Sequence, residues 1–333
     1  MIRLLKICIG LGLVWSAYWY GSGFLVRQGV ARWFDQQAAL GWQADFVDIS
    51  TSGFPLRHVT TLTNPALADP ANGTAWQADW LVMDNPAIWP GHQTLLFPPT
   101  VQRLSYLDQT VELMAEDMTA DFHLKPGTDL QVERMALTAG VWSVHAQGTD
   151  VLGGQELILS MQETDGPATY HFTVAVPQFV PDERLRGAPG AASALPASFQ
   201  TLELDMKVGF DRPWDRRALE ERRPQPTSID LRLARAEWGP LSLFAAGQLT
   251  VDAGGVPTGT VTLKAENWRD MLAIAQQSGT IPDIAVEPTA KILNLLSRVS
   301  GNPDTLDVEL TLRDGKMSMG FLPLGPAPYI YLR

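Results

Sequence analysis

Residues Ile7–Val26 (ICIGLGLVWSAYWYGSGFLV) run for 20 positions without a charged side chain. A helix rises about 1.5 Å per residue, so a run of this length matches a hydrocarbon core of about 30 Å. The expectation is a transmembrane anchor at 1–26 with a water-facing body hung from it. Arg3 and Lys6 precede the run, an order that a cleaved signal peptide shares. Trp15, Tyr18, Trp19 and Tyr20, however, stand directly before Gly21-Ser22-Gly23. Bulky aromatics suit an interfacial belt better than a peptidase site. Arg27 and Arg32 follow, so the charge bias toward an inside amino terminus is slight. The expected place is the inner membrane, single-pass, with the body in the periplasm.

Leu25 to Leu40 reads as a short amphipathic helix along the outer membrane boundary or the body surface. Leu25, Val30, Trp33 and Phe34 lie on one side, and Arg32, Asp35, Gln36 and Gln37 elsewhere.

Beyond it, period-two alternation dominates. Leu202, Leu204, Met206, Val208 and Phe210 interleave with Glu203, Asp205, Lys207 and Gly209. Such a strand has one apolar and one wet face. The pattern recurs at Met118–Leu124, Tyr170–Val176, Ile229–Leu233, Val261–Ala265 and Leu306, Val308, Leu310, Leu312. Turn signals at Pro126-Gly127, Gly153-Gly154, Asp165-Gly166-Pro167, Gly254-Gly255 and Asp314-Gly315 separate these runs. One-faced alternation predicts antiparallel rather than parallel sheet. The fold class is mainly β: a transmembrane helix, then a large curved antiparallel sheet, as a groove or a sandwich, with a few packing helices.

Two helices interrupt the late strands. Asn267 caps the first, with Gly279 beyond its end. The second has Pro288 near its first position and Ile292, Leu293, Leu295, Leu296 and Val299 facing inward, with Gly301 after it. Residues 181–198 have linker composition, which divides the body into a first lobe at 27–180 and a second at 199–333. Asp211 to Arg223 holds five arginines and four acids and reads as a solvated, self-paired excursion, or as a grip on anionic headgroups.

A net charge of −11 gives no electrostatic footprint for nucleic acid. The single cysteine, Cys8, lies in the anchor, so no internal disulfide can form. No two of the five histidines, His58, His92, His123, His145 and His171, have helical metal spacing, and His123, His145 and His171 fall on the polar phase of strands. Nucleophile elbows, phosphate loops and dinucleotide fingerprints are missing from the sequence, and no pair stands out among carboxylates such as Glu112, Glu116, Asp117 and Asp121. No enzyme, metal or cofactor is expected. The 11 tryptophans read mainly as core and interface anchors, with Trp76, Trp80 and Trp89 clustered around Pro86 and Pro90.

Ser52-Gly53-Phe54-Pro55-Leu56-Arg57, then Asn64-Pro65, Trp76-Gln77-Ala78, the Pro86/Pro90 segment, Asp314-Gly315-Lys316 and Leu322-Pro323-Leu324-Gly325-Pro326-Ala327-Pro328 occur in an order that resembles an uncharacterised family of anchored bacterial envelope proteins with an early Ser-Gly-Phe/Tyr-Pro signature. That family transfers no catalytic residue. More distantly, the anchor, the early Phe-Pro strand and Gly255–Gly259 resemble AsmA-like envelope proteins, which implies an apolar groove and a role in lipid or envelope homeostasis. The candidate groove is Leu202, Leu204, Met206, Val208, Phe210, Leu306, Val308, Leu310 and Leu312. The signature set is Ser52, Gly53, Phe54, Pro55 and Trp76. The expected function is non-enzymatic lipid or apolar-ligand binding, with a structural or protein-interaction scaffold as the alternative. The expected partners are the bilayer and a lipid. In the signature, Gly53 is expected where backbone freedom matters and Pro55 at a strand start or edge.

Overall fold

The computed structural model describes residues 1–71, 73–89, 91–182, 195–279, 283–299, 302–320 and 322–332. These residues form a long amino-terminal helix and a body of antiparallel sheets that do not close into a barrel. Two compact units divide the chain, Met1–Met135 and Ala136–Arg333. Most of the linker-like stretch at 181–198 lies outside the described residues. Pro90 and Gly301 also lie outside them.

In the first unit, α1 (Ile2–Ala39) is one continuous helix. The transmembrane run and the amphipathic helix expected after it are therefore a single element, because nothing between Val26 and Arg32 breaks the helix. The strands are β1 (Gln43–Asp45), β2 (Asp48–Ser52), β3 (Arg57–Thr63), β4 (Ala66–Asp69), β5 (Thr74–Gln77), β6 (Trp80–Pro86), β7 (His92–Leu96), β8 (Gln102–Tyr106), β9 (Gln109–Ala115) and β10 (Thr119–Leu124). They form two sets, β2-β3-β6-β7-β10 and β1-β4-β5-β8-β9. The two sets arise from long hairpins broken midway. β3 pairs with β6 and β4 with β5, and the ladder continues across the break through Asn64 N–H to Asp79 O (2.7 Å) and Ala78 N–H to Pro65 O (3.2 Å). Pro65 and Pro98 are fully buried at such breaks, where a missing N–H interrupts the ladder least. Trp76 belongs to this seam. Its indole donates to the buried Gln102 at 3.2 Å.

β11 (Val132–Ala139) contains the unit boundary. The second unit has β12 (Trp142–Ala146) paired with β13 (Thr149–Gly154). Gly153-Gly154, expected as a turn, ends β13 instead; glycine is needed at 154, where the Trp142 ring lies in the place of a Cβ. A meander of sequential neighbours follows: β14 (Leu157–Glu163), β15 (Thr169–Ala175), β16 (Thr201–Phe210), β17 (Pro226–Trp238), β18 (Leu241–Val251), β19 (Pro257–Glu266), β20 (Thr305–Arg313), β21 (Lys316–Met319) and β22 (Leu322–Pro326). Bulges at Asp205/Met206 and between Leu231 and Ala234 bend its centre.

Short α2 (Arg217–Glu220) sits in the charged excursion, which is self-paired through Arg212–Glu221, Arg216–Glu220, Arg217–Asp215 and Arg222–Asp211. α3 (Trp268–Gln277) and α4 (Asp283–Val299) connect β19 to β20. Two local expectations change here. Asn267 precedes α3 but makes no side-chain cap; its amide donates to Pro240 O at 2.6 Å. Pro288 lies inside α4 rather than at its start, and Leu295 is exposed while Leu293 and Leu296 pack inward.

Candidate functional site

Two places on this scaffold concentrate unusual chemistry. The first is the junction of α1 with the early signature. Gly53 has φ +97, and a Cβ there would meet Arg57 O at 2.9 Å. The turn between β2 and β3 therefore needs glycine. Pro55 lies in this turn, after the cis Phe54–Pro55 bond, rather than in a strand. Three aromatic donors of α1 reach into the loops. Trp15 Nε1 donates to Pro55 O (3.1 Å), Trp19 Nε1 to Arg57 O (2.9 Å) and the Tyr18 hydroxyl to Ala87 O (2.7 Å). Trp19 stacks on His58 at 5.0 Å and meets Phe54 edge-on at 5.5 Å. His58 is 2% exposed, and its Nε2 lies 3.1 Å from both Ser22 Oγ and Trp19 O. Sequence reading had no signal for His58, because its partners lie more than 30 positions away.

Gly53→Ala should lower the stability of the first unit by roughly 1–3 kcal/mol, through the positive φ and the tight carbonyl contact. Chemical denaturation of the detergent-solubilised chain checks it; an unchanged midpoint contradicts the assigned turn.

The second place is one face of the meander. Cross-strand register aligns Leu204–Ala234–Ala245–Leu263–Val308 in one row and Met206–Leu231–Gly247–Val261–Leu310 in the next. Leu202 and Val208 start flanking rows that end at Leu306 and Leu312. The opposite face carries Lys207–Asp230–Gln248–Thr260–Thr311. The alternation thus sums over five strands to one apolar and one polar surface. All nine candidate groove residues map to the apolar side, but they do not form a uniform open groove. Leu306 and Val308 are buried in a core with Ala265, Trp268 and Leu272, under α3 and α4. Val208 and Phe210 are buried, and the ring of Phe210 meets Tyr170, Phe172 and Trp214. Leu312 is also buried. What stays half-buried rather than buried is the middle, with Leu202 at one edge and Leu204, Met206 and Leu310 flanked by Phe172, Val174, Leu231 and Val261. Two pockets lie elsewhere. One of about 300 Å³ is lined by Gln77, Asp79, Thr100 and Arg103, and one of about 190 Å³ by Trp142, Asp150, Gly154 and Pro181.

The histidines are more engaged than their strand positions implied. His145 and His171 pair with Asp150 (2.6 Å) and Asp205 (2.8 Å). His92 and His123 sit opposite each other on β7 and β10, with rings stacked at 4.2 Å. Asp121 bridges them at 2.8 and 3.1 Å and accepts from Thr94 at 3.0 Å. Their ligand atoms lie within 4.8 Å of one another, a two-imidazole, one-carboxylate set of the kind divalent ions use. Arg134 Nη2 lies 2.6 Å from His123 Nε2 and places a positive charge against that use. Helical spacing could not reveal this group, because cross-strand register assembles it.

Partial burial raises the Asp121 carboxyl, but bonds from His92 and Thr94 and the charges of both histidines more than offset this and hold it below its ordinary value. A lowered folded pKa contributes stability above the unfolded value of about 3.9, and that contribution is lost as pH falls through the folded value. Asp121→Asn should therefore be less stable than wild type at neutral pH, with the gap closing in acid. Denaturation at neutral pH and near pH 3 decides it; a gap that persists in acid contradicts this linkage.

With this geometry in place, comparison defines the class. The chain belongs to a family of uncharacterised proteins conserved in bacteria, DUF2125, whose model matches residues 19–328. The match begins at Trp19, so it takes in Trp19, the signature and His58 but not Trp15 or Tyr18, and runs through most of both units. No curated protein matches the chain.

Proposed function

We propose that this chain is a non-enzymatic, single-pass protein of the inner membrane, anchored by the apolar part of α1, whose periplasmic body receives a lipid or similar apolar ligand on the open middle of the meander face. The observation that supports it most is the half-buried patch of Leu204, Met206 and Leu310 beside the covered part of the apolar face. Fully burying a Leu or Met side chain is worth roughly 1.5–3 kcal/mol, so covering the part of this patch that is still exposed gains a fraction of that. The AsmA-like resemblance points the same way. The anchor rests on a helix long and apolar enough to cross a bilayer, with few of its apolar residues buried by protein.

Full-length protein purified in mild detergent should carry more lipid per chain than the Met206→Asp variant, measured by mass spectrometry of extracted lipid. Equal lipid in both preparations, with both folded, would overturn the site.

A further inference from the structure

The loops that clasp α1 also present their other side to the surroundings, and that side is apolar. Leu56 is 70% exposed, Ile88 71%, Trp89 59% and Phe54 49%. Tyr20 and Phe24 on α1 are exposed as well. These side chains belong to one patch. Ala87 N–H donates to Leu56 O at 2.9 Å, tying the β2–β3 turn to the loop after β6, and Tyr20 stacks on Phe54 at 6.0 Å. Stretches 52–56 and 87–89 carry no charge. Isolated apolar side chains on a surface are ordinary, but a contiguous patch marks an interaction site.

The length of the anchor identifies the partner. The first tie between α1 and the body is at Trp15, so only Ile2–Val14 projects free. Thirteen residues span about 20 Å, well short of the roughly 30 Å of a hydrocarbon core. α1 must sink further to cross, to about Gly21 or beyond, and its first following charge is Arg27. Sinking it carries the clasping loops into the same depth. Backbone groups at that depth need partners within the protein. The carbonyls of Gly53, Pro55, Leu56, Arg57 and Ala87 have them, from Arg57 N–H, Trp15, Ala87 N–H, Trp19 and Tyr18. In water these carbonyls would need no such supply of indole and phenol donors.

We infer that the β2–β3 turn and the β6–β7 loop form a collar embedded in the outer boundary of the bilayer, with Phe54, Leu56, Ile88 and Trp89 contacting acyl chains, so that the body is seated in the membrane rather than held above it. This rests on the reading of α1 as a transmembrane anchor. The test measures depth site by site. In a Cys8→Ser background, single cysteines replace Leu56, Ile88, Leu13 as the hydrocarbon reference, and Asp108, in the β8–β9 turn at the far end of the broken hairpins, as the aqueous reference. Each carries a nitroxide in vesicles of phosphatidylethanolamine and phosphatidylglycerol, and collisions with oxygen and with a polar nickel chelate are compared. The oxygen-to-nickel ratio at Leu56→Cys and Ile88→Cys should exceed that at Asp108→Cys by roughly tenfold, because an apolar core excludes the chelate. A hydrocarbon signal at Leu13→Cys with aqueous signals at both loop sites overturns the collar and leaves the anchor standing. Aqueous signals at all four overturn both. Loop labels shielded from both reagents would show a protein contact instead of lipid and would also overturn the collar.

Discussion

Trp19→Ala should destabilise the first unit by about 3–5 kcal/mol, the usual cost of truncating a buried tryptophan. Trp19 is 5% exposed and makes several contacts at once. Its ring covers His58 and abuts Phe54, and its indole satisfies Arg57 O at the start of β3. Truncation leaves a cavity, an unsatisfied carbonyl and an uncovered imidazole. Trp15→Phe is the control. It removes one exposed hydrogen bond, to Pro55 O, and should cost only about 0.5–1.5 kcal/mol. Denaturant unfolding followed by far-UV circular dichroism separates the two. If both variants unfold at the same midpoint, the junction does not hold α1 to the body.

The second large effect contrasts two positions on one sheet face. Leu306→Asp should unfold the second unit, because Leu306 lies under α3 and α4 with Trp268 and Leu272, and an unpaired carboxylate there has neither water nor a partner. Breaking into a core with an uncompensated charge costs several kcal/mol, of the order of the whole stability of a domain. Met206→Asp, two strand-rows away and only half-buried, should leave the unit folded because water reaches the new charge. Loss of the native unfolding transition in the first variant but not the second is the expected result. Unfolding of both would mean that the whole face is closed core, and the scaffold alternative would then describe the body better.

The fold was largely legible because its main signals are local. Each alternating run, Leu202–Phe210 among them, became a strand, since period two leaves few other ways to bury one face. The uncharged run at Ile7–Val26 became helix for the same reason of composition. Other features stayed hidden. The breaks that divide each long hairpin at Asn64-Pro65 or Phe97-Pro98 carry no sequence signal of their own, because sequence does not show that the ladder resumes beyond them. The cover over Leu306 and Val308 depends on where α3 and α4 return to the sheet, a tertiary choice. The junction of Trp19 with His58 depends on where α1 packs against β3, and the Asp121 group on cross-strand register. The signature Ser52–Pro55 was visible as a pattern, but its use as the clasp on α1 was not, since its partners are aromatic side chains assigned to the bilayer belt.

Photo-crosslinking tests the central claim most directly. Full-length protein in vesicles containing a phospholipid with a diazirine in its acyl chain is irradiated, digested and mapped. Lipid adducts should appear on peptides of α1 and also on β16, β17 and β20, around Met206, Leu231 and Leu310. Adducts confined to α1 and the loops beside it would contradict a lipid site on the sheet.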